Sequence, residues 1–553
     1  MANEAIIISD DNPTWTQACR SASHKHWRQA AIQEIESHIK NNSFEVVPSA
    51  PGKKEVGSRW VLKIKRDANG KLLKYKARLV AKGFQQVEGV HYSETYSPTV
   101  SSMGVKILFS IAVSLGLELM QMDVDTAFLI PRLLNKERLH IKPPPDFGSL
   151  YTEATGKAFP KGASLYLSSC IYGLKQASHY WNSELTKALL EFGFKQMKTD
   201  PCIFTKHNKE GKLECIIAIY VDDIVGAGTS QMLTATKKCL SNKFPMKDLG
   251  YPSTWTGIEI VRNEDSSIHL HQQGYVNQIL ERFNMLNCNP SHAPTSITRI
   301  DATAKATEEE KKAMEAIPYR QALGALLWLT TNTRPDITFA VHQVARRTCD
   351  PRPEDWAAMK RIFRYLQGTK SFGITFKKDK QDLDLCCYSD SDWAGDSTRH
   401  TTACSVITLG GTPIQWKVRL LKNIALSSME AELMALSEAG KDVIGTTKII
   451  EEIGMRMNYP ISVKIDNDAA RLAVQRPGQT SRTRHVEVRH FWIREKITNG
   501  SFKVERISTD DNIADIGTKP LPSKRFETLR DELMNKIPET KQDPKKTKTD
   551  KQK

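Results

Sequence analysis

Two adjacent carboxylates interrupt an apolar, β-forming run in the stretch CIIAIYVDDIVGAG at 215–228. Ile216, Ile217, Ala218, Ile219, Tyr220 and Val221 read as a buried strand, and Ile224 and Val225 resume it directly after Asp222 and Asp223. The pattern predicts a hairpin with both acids at its tip. Like charges placed there cost free energy unless a cation or a strong hydrogen-bonding partner compensates for them. A divalent metal is one answer. An Asp-rich turn, in which the side chains cap backbone N–H groups, is the other.

The rest of the chain bears on that choice. Its 553 residues exceed what one hydrophobic core organises and suggest about three or four domains. Lys and Arg number 79 against 63 Asp and Glu, a net charge of +16 that favours a polyanionic partner, nucleic acid before membrane. The most apolar segment, 107–117, falls short of the ~20 residues that span a bilayer. The amino terminus, MANEAIIISDDNPTW, lacks the basic and long apolar regions of a signal peptide. Ten cysteines without C-x-x-C spacing read as reduced intracellular thiols rather than disulfides or a zinc site.

Helical spacing of Trp27, Ala31, Ile35 and Ile39 predicts an amphipathic helix over 24–40. The stretch 59–83 alternates on both sides of Asp67-Ala68-Asn69-Gly70 and predicts a hairpin studded with Lys and Arg, either a solvated ribbon or a basic finger folding over phosphates. Helices are expected over 101–115 and 178–192, with a strand from Leu117 ending near Asp123. An α-rich insert separates that strand from the Asp222 hairpin. Asp123 on one strand can face the tip of its neighbour, and three carboxylates so placed could hold two Mg²⁺ ions, which suits phosphoryl or nucleotidyl transfer. The polar stretch 291–318 reads as a linker, and the lysine-rich end of the chain as disordered.

The stretches RLVAKGFQQVEGVHYSETYSPTV (78–100), QMDVDTAF (121–128), IYGLKQAS (171–178), YVDDIVGAG (220–228), TGIEI (256–260) and PYRQALGALLWLTTNTRPDI (318–337) together resemble the polymerase portion of copia-type retrotransposon polyproteins. The resemblance implies a right-hand polymerase of fingers, palm and thumb in which Asp123 and Asp222 ligate catalytic metals and Asp223 supports them. It also implies that Phe128 contacts the sugar of an incoming nucleotide, that Gln176 lies in the nucleotide site, and that Lys76 and Arg78 reach the triphosphate. The chain departs from the family after Phe128, reading Leu129-Ile130-Pro131-Arg132 where a Leu-Asn-Gly turn is usual. That departure bears on the shape of the loop and touches no expected metal ligand.

A second set of acids stands at element ends in YSDSDW (388–393), SSMEAELMALSEAGK (427–441), VKIDND (463–468) and DNIADIGTKPL (511–521). Strand, hairpin, helix, strand and helix form an α/β layering in which such acids converge on metals that cut a phosphodiester. Ser427 and Glu430 fit a capping box, which leaves Glu432 for the metal. Asp390 and Asp392 share a strand face, so period two does not choose between them. These segments resemble the ribonuclease H domain that follows the polymerase in copia-type elements, and the resemblance implies the tetrad Asp390, Glu432, Asp466 and Asp515. In the basic stretch 481–496, Arg484, His485 and Arg489 are candidates for backbone contacts, against an ordinary amphipathic helix whose aromatics are core.

The expected architecture is therefore multidomain, α/β and α+β: a reverse transcriptase over 13–290, linker and connection over 291–380, a ribonuclease H-like α/β domain over 381–521 and a basic, disordered tail over 522–553. The implied activity is RNA- and DNA-directed DNA synthesis with cleavage of the RNA–DNA hybrid. Two Mg²⁺ ions per site, or Mn²⁺, would serve it. Expected partners are an RNA template, a DNA primer, the hybrid and dNTPs, with integrase or capsid of the same element also possible and no membrane. The resemblance implies an intracellular location, a cytoplasmic virus-like particle before the nucleus. The alternative is a domesticated or truncated relic, inactive, that binds nucleic acid. Without protease, zinc-knuckle or integrase signatures in the sequence, a carboxyl-terminal portion or truncated copy is expected.

Overall fold

Alternation in the basic ribbon separates two faces. In the computed structural model, which describes residues 12–49, 55–66, 72–378, 383–475 and 488–535, strand Val56–Arg66 pairs antiparallel with Leu72–Ala81, Lys63 opposite Lys76. Trp60, Leu62, Ala77 and Leu79 enter a core with the helix His24–Lys40. Because direct partners share a face, Lys63, Lys65, Lys74, Lys76 and Arg78 stand together on the other side. The five-stranded sheet runs Phe44–Pro48, Ala163–Leu167, His140–Lys142, Val56–Arg66, Leu72–Ala81.

The unbroken apolar run of 216–225 is explained by a sheet covered on both faces. Six strands lie in the order Met246–Gly250, Glu118–Val124, Asp223–Gly228, Leu213–Tyr220, Ile203–His207, Lys195–Gln196. Ile216, Ala218 and Val225 pack against Ile107 and Ile111 of helix Ser102–Leu115. Ile217, Ile219 and Ile224 pack on the opposite side against Trp181, Leu185 and Leu189 of helix Ala177–Glu191, with Leu233 and Leu240 of helix Ser230–Lys243. The insert between Asp123 and Asp222 is not mainly helical: it supplies two strands of the first sheet and three of this one.

A four-stranded sheet, Thr254–Trp255, Ile258–Arg262, Ile268–His271 and Gly373–Phe376, buries its apolar side chains in the core shared with helix Ser102–Leu115, while the helices Gln273–Arg282, Tyr319–Asn332, Thr338–Ala345 and Pro353–Gly368 build a second core. The expected linker is partly ordered structure, because Thr307 and Glu310 form a reciprocal capping box that opens the helix Glu308–Met314. The last sheet runs Thr412–Leu420, Thr402–Leu409, Leu385–Asp392, Ile461–Ile465, Phe502–Arg506. Its first three strands are antiparallel, and the last two run parallel to Leu385–Asp392. Helix Ser428–Ile453 packs across it.

The expected disordered tail begins as a helix, Ser523–Leu533. Phe526, Leu529 and Leu533 are buried at helical spacing beneath its basic residues, so charge outweighed periodicity in the sequence reading. The lysine-rich remainder lies outside the described residues. No helix among the described residues is long and apolar enough to cross a membrane.

Candidate active sites

Asp223 pairs with Tyr220, which leaves Val221-Asp222 as the hairpin tip. Val221 takes φ +59°, a left-handed conformation that a β-branched residue seldom adopts. On the adjoining strand Asp123 stands directly opposite Asp223. Burial raises the Asp123 carboxyl, and Asp222 adds to the effect. Burial and then the charges of Asp222 and Asp123 push Asp223 up to about 6, against the pull of Gln121 and Lys65. The oxygens of these three acids do not gather as tightly as those of the second cluster below.

A carboxyl raised above its unfolded value stabilises the fold below that unfolded value and loses the contribution as pH rises through the folded one. At the Asp223 site this window runs from about 6 down to the ordinary value of 3.8. Lowering pH from 7 to 5 in chelator should therefore stabilise the parent protein relative to Asp223→Asn, and differential scanning calorimetry of the two checks it. The same protonation competes with a cation, so metal affinity should fall below about pH 6 in the parent and less in the variant.

The basic face flanks this tip. Lys76 is lowered to about 8, first by burial and then by the charges of Arg78 and Lys65. Arg78 lies over the ring of Tyr172, 4.1 Å from its centroid, and Phe128 meets the same ring edge-on at 5.1 Å. Phe128 is half-buried at the margin of two cores. Lys65, which the sequence reading passed over, is exposed on this face and draws down both Asp123 and Asp223. Gln176 departs from expectation. It is fully buried, accepts from Gln86 Nε2 at 3.0 Å and donates to His91 O at 2.9 Å, so a nucleotide contact requires those bonds to open. The divergent segment after Phe128 is tied in place by Cys170 N to Pro131 O at 3.0 Å and Arg132 to Asn42 O at 2.8 Å.

The second cluster is tighter. Asp390, Asp466 and Asp515 each offer an oxygen within 4.8 Å of the others. Asp392, which period two left open, instead pairs with Arg299. Asp390 is fully buried, and burial followed by Glu432 and Asp515 raises it well above the ordinary carboxylate value. Glu432 is pushed up to about 8, by burial and then by Asp466, and its Oε2 is buried without a hydrogen-bond partner. Ser427 accepts from Glu430 N at 3.2 Å, while the Glu430 carboxylate accepts from Leu426 N at 2.7 Å rather than from the cap itself. Half a capping box therefore still occupies Glu430, while Glu432 lies outside the tight trio and accepts from Ser391 N at 3.3 Å through its other oxygen.

Asp515 arrives on the turn Ile513–Gly517. A Cβ at Gly517 would come within 2.4 Å of Cys404 Sγ, so glycine permits the close seating. Asn512 Nδ2 donates to Ser389 O at 3.1 Å and holds the turn against the first strand. Three residues absent from the sequence reading complete the site: Lys519 lies 2.9 Å from Asp515 Oδ1 and 3.6 Å from Asp390 Oδ2, Arg525 donates to Asp515 Oδ2 at 2.6 Å, and Thr518 donates to Asp390. The i, i+4 spacing of Asp515 and Lys519 in DIGTK was the available signal. An all-oxygen donor set with an orphaned buried oxygen and mutual repulsion fits a hard divalent cation. Arg484 and His485 lie outside the described residues; Arg489 falls in the helix Val488–Thr498, its side chain outside them.

Residues 41–297 match the family model described as reverse transcriptase (RNA-dependent DNA polymerase). The chain is 36% identical over 537 residues to the retrovirus-related Pol polyprotein from transposon TNT 1-94 of Nicotiana tabacum, covering 96% of this chain and 39% of that one. The chain belongs to the copia-type Pol polyprotein family. Its relative from transposon RE2 of Arabidopsis thaliana is 33% identical over 515 residues, 93% of this chain and 34% of that polyprotein. The copia-type chain thus spans well under half the length of these relatives. Among solved structures, foamy viral protease-reverse transcriptase in complex with dsDNA overlays at a TM-score of 0.49 with 12% identity, covering 88% of this chain and 83% of that one. An overlap this loose assigns no residue.

Proposed function

We propose that this chain is a reverse transcriptase joined to a ribonuclease H, copying RNA into DNA at the Asp123–Asp222–Asp223 site and cutting the hybrid's RNA at the Asp390–Glu432–Asp466–Asp515 site. The observation that carries the reading is the pair of separate carboxylate clusters, one beside a face of five crowded cations and one in a sheet with an acidic helix across it. Divalent cations, Mg²⁺ or Mn²⁺ and two per site, would supply Lewis-acid activation and charge neutralisation at each. The chain's own residues do the rest. Asp123 and Asp222 present oxygens, and Asp223 supports them from the strand. Lys65, Lys76 and Arg78 offer charge to a triphosphate. RNA template, DNA primer, hybrid and dNTPs are the corresponding partners, and the reading fits domains near 13–290, 291–380 and 381–521, with the helix Ser523–Leu533 added to the last. Integrase or capsid of the same element and a cytoplasmic particle belong to the same reading.

Divalent-metal-dependent extension of a DNA primer on an RNA template tests the polymerase half; extension unaffected by chelator, or none from folded protein, would overturn it. Phe128 supplies a finer test. Half-buried against Tyr172, its ring would exclude a ribose 2′-hydroxyl by bulk. Phe128→Val is expected to raise ribonucleotide incorporation relative to deoxynucleotide by about ten- to two-hundredfold, the range for a steric pocket. Single-nucleotide incorporation with both substrates checks it, and an unchanged ratio in an active variant would return Phe128 to a packing role.

A further inference from the structure

The hairpin tip that carries Asp222 rests on one hydrogen bond from behind the sheet. Trp181, on helix Ala177–Glu191, is buried at 1% exposure, and its Nε1–H donates to Val221 O at 2.7 Å. Its ring meets Phe244 edge-on at 5.2 Å, among Leu185, Ile219 and Ile224. Phe244 is followed by Pro245, whose carbonyl accepts from Asp125 N at 2.9 Å, two residues beyond Asp123. The indole therefore touches the tip that presents Asp222 and is linked to the end of the Asp123 strand through Phe244 and Pro245.

The backbone it grips is strained. Val221 holds φ +59° in a tip bounded by the Tyr220–Asp223 pair, and a β-branched side chain disfavours that conformation. Strained backbone persists only where surrounding structure over-determines it. Here the paired strands fix the ends of the tip, and Trp181 fixes the carbonyl between them. We infer that Trp181 is a positioning residue of the polymerase site, clamping Val221 in its left-handed conformation so that Asp222 is presented to the cleft. The inference rests on the polymerase reading for its catalytic consequence and on geometry alone for the clamp. A purely structural role, in which the indole N–H merely finds an acceptor, makes a different prediction: the tip would hold its shape without it.

Trp181→Phe keeps an aromatic ring against Phe244 and removes the donor. Amide hydrogen exchange on the metal-free protein should quicken across 220–223 in this variant while the strands on either side stay protected. In primer extension, kcat should fall about ten- to hundredfold, the scale of a small misplacement of a reacting group, with KM for dNTP and primer–template affinity within about twofold of the parent. Val221→Gly in the same background removes the steric cost of the positive φ, so the double variant should recover most of the lost kcat. Unchanged exchange at the tip in Trp181→Phe, or a double variant as impaired as the single, overturns the clamp. Because exchange is read without substrate, inactivity of the parent protein would sink the polymerase reading and leave the clamp to be decided by the exchange data.

Discussion

Asp222→Asn is expected to lower nucleotide addition by about three orders of magnitude or more while hybrid cleavage stays within about twofold of the parent. The magnitude follows from removing a charge aimed at the reacting centre, where even one preorganised donor is worth about 10²–10³ in rate. Asp222 sits at the hairpin tip, exposed enough to meet a ligand and backed by a clamped carbonyl. Asn is nearly isosteric, so the fold should survive. Separation of the activities follows from the topology, since the hairpin belongs to the six-stranded sheet and the second cluster to a different one. Paired primer-extension and hybrid-cleavage assays on one preparation read both halves. Loss of both in a folded variant would contradict two independent sites.

Asp390→Asn should do the reverse and also stabilise the metal-free protein. Asp390 is buried, and its carboxyl is raised well above the usual range by burial and by Glu432 and Asp515. Such a group contributes stability only below its unfolded value and loses it as pH rises through the folded one, so at neutral pH it burdens the fold. Each pKa unit of that displacement is worth ~1.4 kcal/mol. Asn is neutral throughout, its carbonyl still accepts from Thr518, and Lys519 keeps Asp515 as partner. Calorimetry in chelator should therefore give a higher midpoint for the variant at pH 7.5, with the difference shrinking toward pH 5. A lower midpoint would mean that the Lys519 contact outweighs the repulsion.

Much of the setting of the first carboxylate cluster was legible because its signals are local. The apolar run broken by Asp222 and Asp223 encodes a doubly covered hairpin, and alternation in 59–83 encodes a ribbon with one basic face. What escaped was set by partners distant in sequence. Gln176 reads as a cleft residue until Gln86 and His91, some 90 positions away, enclose it. Asp390 and Asp392 are equivalent by period, and only Arg299 separates them by claiming the second. Trp181 carries no signal of its link to Val221, because a buried tryptophan in an amphipathic helix reads as core and nothing local points its N–H at a hairpin tip. The helix Ser523–Leu533 was hidden by composition, its apolar spacing diluted by charge.

The reading of one chain with two coupled activities is tested most directly by copying a 5′-labelled RNA template from a DNA primer with Mg²⁺ and following both strands in time. Full-length DNA should appear first, and the labelled RNA should shorten beyond the primer-annealed segment only after synthesis has extended the hybrid, with Asp222→Asn blocking synthesis and confining cleavage to that segment and Asp390→Asn blocking cleavage alone. RNA shortening beyond the primer-annealed segment at the same rate without dNTPs, or DNA synthesis with the RNA left intact by the parent protein, would contradict it.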